Sequence, residues 1–175
     1  MLRACPEVGF SISATTRRPR DGEVDGVHYH FLSEEEFQRC IDAGEFWEWA
    51  EVYGRRYGTL RGPVEKMLAA GQDVALDLDT QGATILKNIR KEGVFVFILP
   101  PSFNELKRRI VGRGTETPAE IERRLREGMG ELKLLPLYDY VLVNVSLEKA
   151  VLRLRAILSA ERCRISRQEY LPNLL

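Results

Sequence analysis

Val74-Ala75-Leu76-Asp77-Leu78-Asp79-Thr80-Gln81-Gly82, followed one helix length later by Val94-Phe95-Val96-Phe97-Ile98-Leu99-Pro100-Pro101, is the stretch whose reading decides the fold. Val74–Leu78 is a short apolar strand ending among two carboxylates, Asp77 and Asp79, and a helix is expected from about Gln81 to Lys91. Val94–Leu99 is an unbroken apolar run, the pattern of a strand covered on both faces, and the two prolines stop it. Strand, helix and strand in that order argue for an α/β fold with a parallel sheet flanked by helices.

Upstream, Val8–Ser13 reads as a short strand and Ala14–Gly26, rich in Arg, Pro, Gly and Asp, as a loop. Ser33-Glu34-Glu35-Glu36 is a capping-box pattern, with Phe37 and Ile41 on one face of the helix it opens and Gly44 placed to end it. Glu45–Tyr57 alternates apolar residues around Gly54, so a hairpin is expected there, and Pro63 suits the first turn of a helix closing at Gly71. The Ser33–Tyr57 stretch is therefore an α+β insertion in the α/β frame. Downstream, Ser102-Phe103-Asn104-Glu105 and Thr117-Pro118-Ala119-Glu120 are two further capping boxes, each opening an arginine-rich helix. Tyr140–Val145 is another apolar strand. The last helix runs from Leu147 to about Ile165, with Val151, Leu152, Leu154 and Leu158 as core positions.

The chain has 175 residues, enough for one compact domain, and its 26 basic and 26 acidic residues cancel. No global field gathers a nucleic-acid backbone, so any anion site must be local. No apolar run approaches the roughly 20 residues that span a bilayer, and no secretory signal is visible, so a cytoplasmic protein is expected. Cys5, Cys40 and Cys163 are scattered, with no histidine at metal-ligand spacing, and read as reduced bystanders.

Four places carry possible chemistry. Ser13-Ala14-Thr15-Thr16-Arg17-Arg18-Pro19-Arg20 sets three guanidinium groups beside hydroxyls at a strand end, an anion grip or, more plainly, a solvated basic turn. Glu48 stands among large apolar neighbours, shortly before Tyr57-Gly58-Thr59. A carboxylate there can accept the two adjacent N–H donors of a guanine edge while Thr59 donates to its carbonyl oxygen; it can also be an exposed strand residue whose stem packs on Trp47 or Trp49. Asp77 and Asp79 end a strand, where parallel sheets place ligands and where a carboxylate suits Mg²⁺ and its waters. Arg109 and Arg113 share a helix face and Arg124 follows in the next helix, a cation set for phosphoryl transfer or an ordinary salt-bridged surface.

Taken in order, these strings resemble the guanylate kinase family. The resemblance rests on Ser11-Ile12-Ser13-Ala14-Thr15-Thr16-Arg17-Arg18-Pro19-Arg20-Asp21-Gly22-Glu23, Gly26-Val27-His28-Tyr29, Glu45-Phe46-Trp47-Glu48-Trp49-Ala50, Tyr57-Gly58-Thr59, the Leu76–Gly82 string, Leu99-Pro100-Pro101-Ser102 and Gly112-Arg113-Gly114-Thr115. It implies a P-loop kinase-like parallel sheet in a single domain, with an α+β GMP-binding subdomain at about 14–70, a helical lid at about 112–130, and a core in the remainder. It implies ATP-dependent phosphorylation of GMP to GDP with Mg²⁺. Arg17, Arg20, Tyr29 and Tyr57 would hold the GMP phosphate; Ser13, Glu48 and Thr59 would surround guanine, with Asp79 alongside. Asp77 would lie near the metal, reaching it through water, and with Arg109, Arg113 and Arg124 on the ATP phosphates would complete the catalytic set. Thr59 stands where many members have Ser, and Val145 where Asp is usual. The family's first strand and its G-x-x-x-x-G-K-[ST] loop have no counterpart in the chain, which is expected to be truncated there and to transfer phosphate poorly. The alternative is a catalytically silent module that binds GMP or a phosphopeptide at the same site.

Overall fold

The computed structural model describes residues 5–89, 92–112 and 117–167. The chain divides into two compact units, Leu2–Gly93 and Val94–Leu175. In chain order the first holds β1 (Gly9–Phe10), β2 (Ala14–Thr15), β3 (His30–Phe31), α1 (Glu34–Asp42), β4 (Phe46–Val52), β5 (Arg55–Leu60), α2 (Arg61–Ala69), β6 (Val74–Ala75) and α3 (Thr80–Ile89). The second holds β7 (Val96–Leu99), α4 (Phe103–Val111), α5 (Pro118–Glu131), a 3-10 stretch at Leu132–Leu137, β8 (Tyr140–Val143) and α6 (Leu147–Arg162).

In the first unit β1 and β6 pair in parallel, as expected, but over two residues each. The run that reads as one strand from Val8 to Ser13 is divided between two sheets. After Ser11 N–H donates to the Ala75 carbonyl at 3.0 Å the chain leaves β6, and Ala14–Thr15 joins a second sheet, so the expected loop begins with a strand. A strand is only as long as its ladder; β6 therefore stops at Ala75, and Asp77 lies beyond it.

The second sheet has the order β3-β2-β5-β4. β2 is parallel to β3, and β5 is antiparallel to both β2 and β4. Helix α1 covers this sheet. Ser33 and Glu36 form the full reciprocal capping box, and the helix closes into Gly44 at φ +66°, a conformation glycine adopts without strain. Its Phe37, fully buried, stacks on Phe46 at 4.5 Å between ring centroids, and Leu32, Cys40, Ile41 and Leu60 pack around them. The β4–β5 hairpin turns through Tyr53 and Gly54, both at positive φ, the geometry that matches strand twist. Along β4 the two-residue period puts Phe46, Glu48 and Ala50 on the buried face. This is the face on which the carboxylate of Glu48 must find partners.

In the second unit β7 and β8 pair in parallel over four residues. The Val94–Leu99 run is not covered on both faces within its unit. Phe95 and Phe97 are buried edge-on against Tyr138, whereas Ile98 is 54% exposed, the alternation of a half-covered strand. Thr117 and Glu120 make a full capping box on α5. Ser102 caps α4 from one side only, because the Glu105 carboxylate that would complete the box is drawn to Arg108 and Arg109. On α6, Ala150 and Glu161 are buried while Leu152, expected in the core, is exposed. Two residues turn a helix by about 200°, so Leu152 faces away from Ala150. Glu161 accepts the Tyr140 hydroxyl at 2.6 Å and pairs with Arg164 at 3.0 Å, tying α6 to β8. No helix among the described residues is long and apolar enough to cross a membrane.

Candidate functional site

Cross-strand register sets Glu48 of β4 opposite Thr59 of β5. Both are nearly sealed from solvent, at 5% and 1% exposure, and the Thr59 hydroxyl donates to Glu48 Oε1 at 2.7 Å. On the other side of the carboxylate lies the first turn of α3. Asp79 caps that helix, its Oδ1 accepting the Gly82 N–H at 2.9 Å and its carbonyl accepting the Ala83 N–H. Burial raises the pKa of Glu48, the Thr59 hydrogen bond opposes the rise, and the nearby charge of Asp79 adds to it. A carboxylate fixed in this way is an acceptor-only group that suits two neighbouring N–H donors. Thr59 has one proton, and it goes to Glu48 rather than outward to a carbonyl oxygen.

The basic segment after β2 forms a second cluster. Arg17 donates from Nη1 and Nη2 to the two oxygens of Glu23, both at 2.9 Å, and from Nη1 to the Arg18 carbonyl. Its guanidinium lies over the rings of Tyr29, at 5.2 Å, and Phe31, at 5.7 Å, and Tyr29 meets Tyr57 edge-on at 6.2 Å. The hydrogen bonds from Arg17, then the backbone N–H of Arg20, hold the Glu23 carboxyl down at about 2. Burial raises the Tyr29 phenol, and the electrostatics of Tyr57 and Asp77 push the same way. Arg20 is exposed, and Ser13 is half-buried, its carbonyl accepting the His30 N–H at 2.9 Å. The first unit thus gathers Arg17, Tyr29 and Tyr57 into one cluster and Glu48, Thr59 and Asp79 into another, while Asp77 stands exposed just beyond β6.

A family model described as guanylate kinase matches residues 2–161. A guanylate kinase of Symbiobacterium thermophilum is 52% identical over 95% of this chain and 79% of its own length. One from Desulfitobacterium hafniense is 48% identical over 97% of this chain and 85% of its own. The crystal structure of guanylate kinase from Anaplasma phagocytophilum superposes with a TM-score of 0.85 at 36% identity, covering 99% of this chain and 86% of that one. The chain belongs to the guanylate kinase family. Its fold is the α/β guanylate kinase fold.

The remaining residues that the guanylate kinase resemblance singles out belong to the second unit. Arg109 of α4 donates from Nε to Glu105 at 2.7 Å and from Nη2 to the Asn144 carbonyl at 3.0 Å, so its head group is held at two points. The hydrogen bonds from Arg108, then Arg109, hold Glu105 at about 2. Arg124 is half-buried on α5, which packs against α4. Arg113 falls outside the described residues.

Two carboxylates went unassigned in the sequence. Glu23 closes the guanylate kinase signature string, yet only the fold turns the backbone so that it meets Arg17 with both oxygens. Glu105 reads as a cap, and its arginine partners one turn on were the available signal.

Proposed function

We propose that the chain binds GMP and phosphorylates it to GDP with ATP as donor. The observation that carries this reading is the buried Glu48–Thr59 pair. A carboxylate at 5% exposure needs donors, and the N1–H and 2-amino group of guanine supply two side by side. A phosphopeptide offers the phosphate cluster an anion but no rigid base edge with two adjacent N–H donors for Glu48. In this reading Thr59 orients Glu48 and Asp79 holds the helix turn beside it, while Ser13 lies near the base. Arg17, Arg20, Tyr29 and Tyr57 hold the GMP phosphate. Residues 14–70 act as the GMP-binding part and 112–130 as a lid, the remainder being the core of a single domain. A cytoplasmic setting goes with these substrates.

In the reaction an oxygen of the GMP phosphate forms a bond to the γ-phosphorus of ATP as the bond from that phosphorus to the β–γ bridging oxygen breaks, leaving ADP. Two anions must approach, so Arg17 and Arg20 offset the charge on the attacking phosphate. The 175 residues contain no G-x-x-x-x-G-K-[ST] string, and the charge they bring to the ATP phosphates is that of Arg109, Arg113 and Arg124. The family implies Mg²⁺ with ATP. The exposed carboxylate of Asp77, two residues beyond the end of β6, fits a hard cation that keeps its waters. When bound, the ion neutralises charge on the phosphate oxygens.

Calorimetry with GMP and AMP tests the reading. A charged hydrogen bond is worth about 1.5–3 kcal/mol, so GMP should bind at least tenfold more tightly. Equal affinities would end it. The expectation of weak phosphate transfer gains no support from the comparisons. It is decided by GDP formation in this chain against a version carrying the loop string at its front; near-equal rates would dispose of it.

A further inference from the structure

Gly82 is the third residue of α3, and its backbone is ordinary helix, so nothing in its torsion angles calls for glycine. Glycine is the poorest helix former after proline, and its presence in a first turn needs another reason. The reason is space. A Cβ built on Gly82 would lie 2.6 Å from Glu48 Oε2, 3.2 Å from Glu48 Cδ and 3.2 Å from Asp79 Oδ1, against an ordinary carbon contact of about 3.5–4.0 Å. The helix cannot easily give way. Its Gly82 N–H is anchored on Asp79, and the next residue, Ala83, is buried. What yields is the free end of the Glu48 side chain, which Thr59 holds from the opposite side.

We infer that Gly82 is a positioning residue for base recognition: the missing side chain lets the Glu48 carboxylate lie against the first turn of α3, where Thr59 and the helix together fix its direction. This rests on the guanine reading of Glu48. A methyl group at position 82 pushes Oε2 out of the plane in which it accepts from the 2-amino group. Base preference is then lost, while the phosphate cluster around Arg17 stays in place.

The test compares affinities for GMP and inosine monophosphate, which differ only by the 2-amino group. The wild-type chain is expected to prefer GMP by about tenfold to a hundredfold. Gly82→Ala should remove most of that ratio, and on a Glu48→Gln background should change it no further, because Gly82 acts only through Glu48. Gly62→Ala, in α2 with open space around its Cβ, should leave the ratio alone. A crystal structure of Gly82→Ala without nucleotide should show the 2.7 Å Thr59–Glu48 bond broken. Should Gly82→Ala fail to fold, adding Glu48→Asp, which withdraws the carboxylate by about 1.5 Å, should restore a folded chain. Wild-type preference kept in Gly82→Ala, the bond intact in its crystal, or no rescue by the shorter acid would each overturn the inference while the guanine reading stands. A wild-type chain without preference would overturn both.

Discussion

Replacing Thr59 by Val isolates the hydrogen bond on which the proposed base site depends. The change swaps a hydroxyl for a methyl, keeps the β-branching that strands favour, and leaves the ladder between Glu48 and position 59 in register. Donor and acceptor are 1% and 5% exposed, so water cannot take the place of the lost proton donor. A buried hydrogen bond to a charged group is worth about 1.5–3 kcal/mol. In a chain of this size each kcal/mol moves the melting temperature by about 2–4 °C, so a fall of about 3–12 °C is expected at neutral pH. The pH dependence carries the mechanism. The Thr59 bond favours the ionised form of Glu48, so its contribution is full above the folded-state pKa of that carboxyl and is lost as pH falls through it. Scanning calorimetry of wild type, Thr59→Val and Thr59→Ser across that range is the assay, with the serine variant recovering stability because it keeps the hydroxyl. A valine variant melting within about 1 °C of wild type at neutral pH, or a loss that grows toward acid, would refute the reasoning.

Glu48→Gln should act in the opposite direction on stability. Burial raises the Glu48 pKa above its unfolded value, so stability falls as pH rises between the two; the neutral amide should therefore melt higher than wild type at pH 7, with the difference fading at acid pH, while selective GMP binding is lost in calorimetry. Phe37→Ala removes the fully buried ring stacked on Phe46 and should cost about 3–5 kcal/mol in denaturant unfolding. Glu105→Ala releases one of the two points that hold Arg109 and should lower kcat by up to about a hundredfold with the KM for GMP unchanged, which steady-state kinetics will show.

Local chemistry made part of this protein legible from its sequence. Capping boxes at Ser33 and Thr117, the terminating Gly44 and the turn at Gly54 rest on contacts within a few residues, and each stands as the sequence predicts. Two parallel strand pairs also follow from the alternation of apolar runs and helices. Strand lengths do not, because a ladder ends where its partner turns away: Ala14 and Thr15 leave β6 for a sheet whose other strands come from residues 30–60. Nor does burial on α6, where the choice between Ala150 and Leu152 depends on which side meets β8. The site divides in the same way. The sequence by itself determined which side chains are available, Arg17 among hydroxyls, Glu48 among aromatics, and two carboxylates after a strand. Only the tertiary structure decided their pairing. It gave the fork of Arg17 to Glu23, turned the Thr59 proton onto Glu48, and brought Gly82 against that carboxylate from 34 positions along the chain, because register, strand twist and the space left by a missing Cβ exist only once distant segments are packed together.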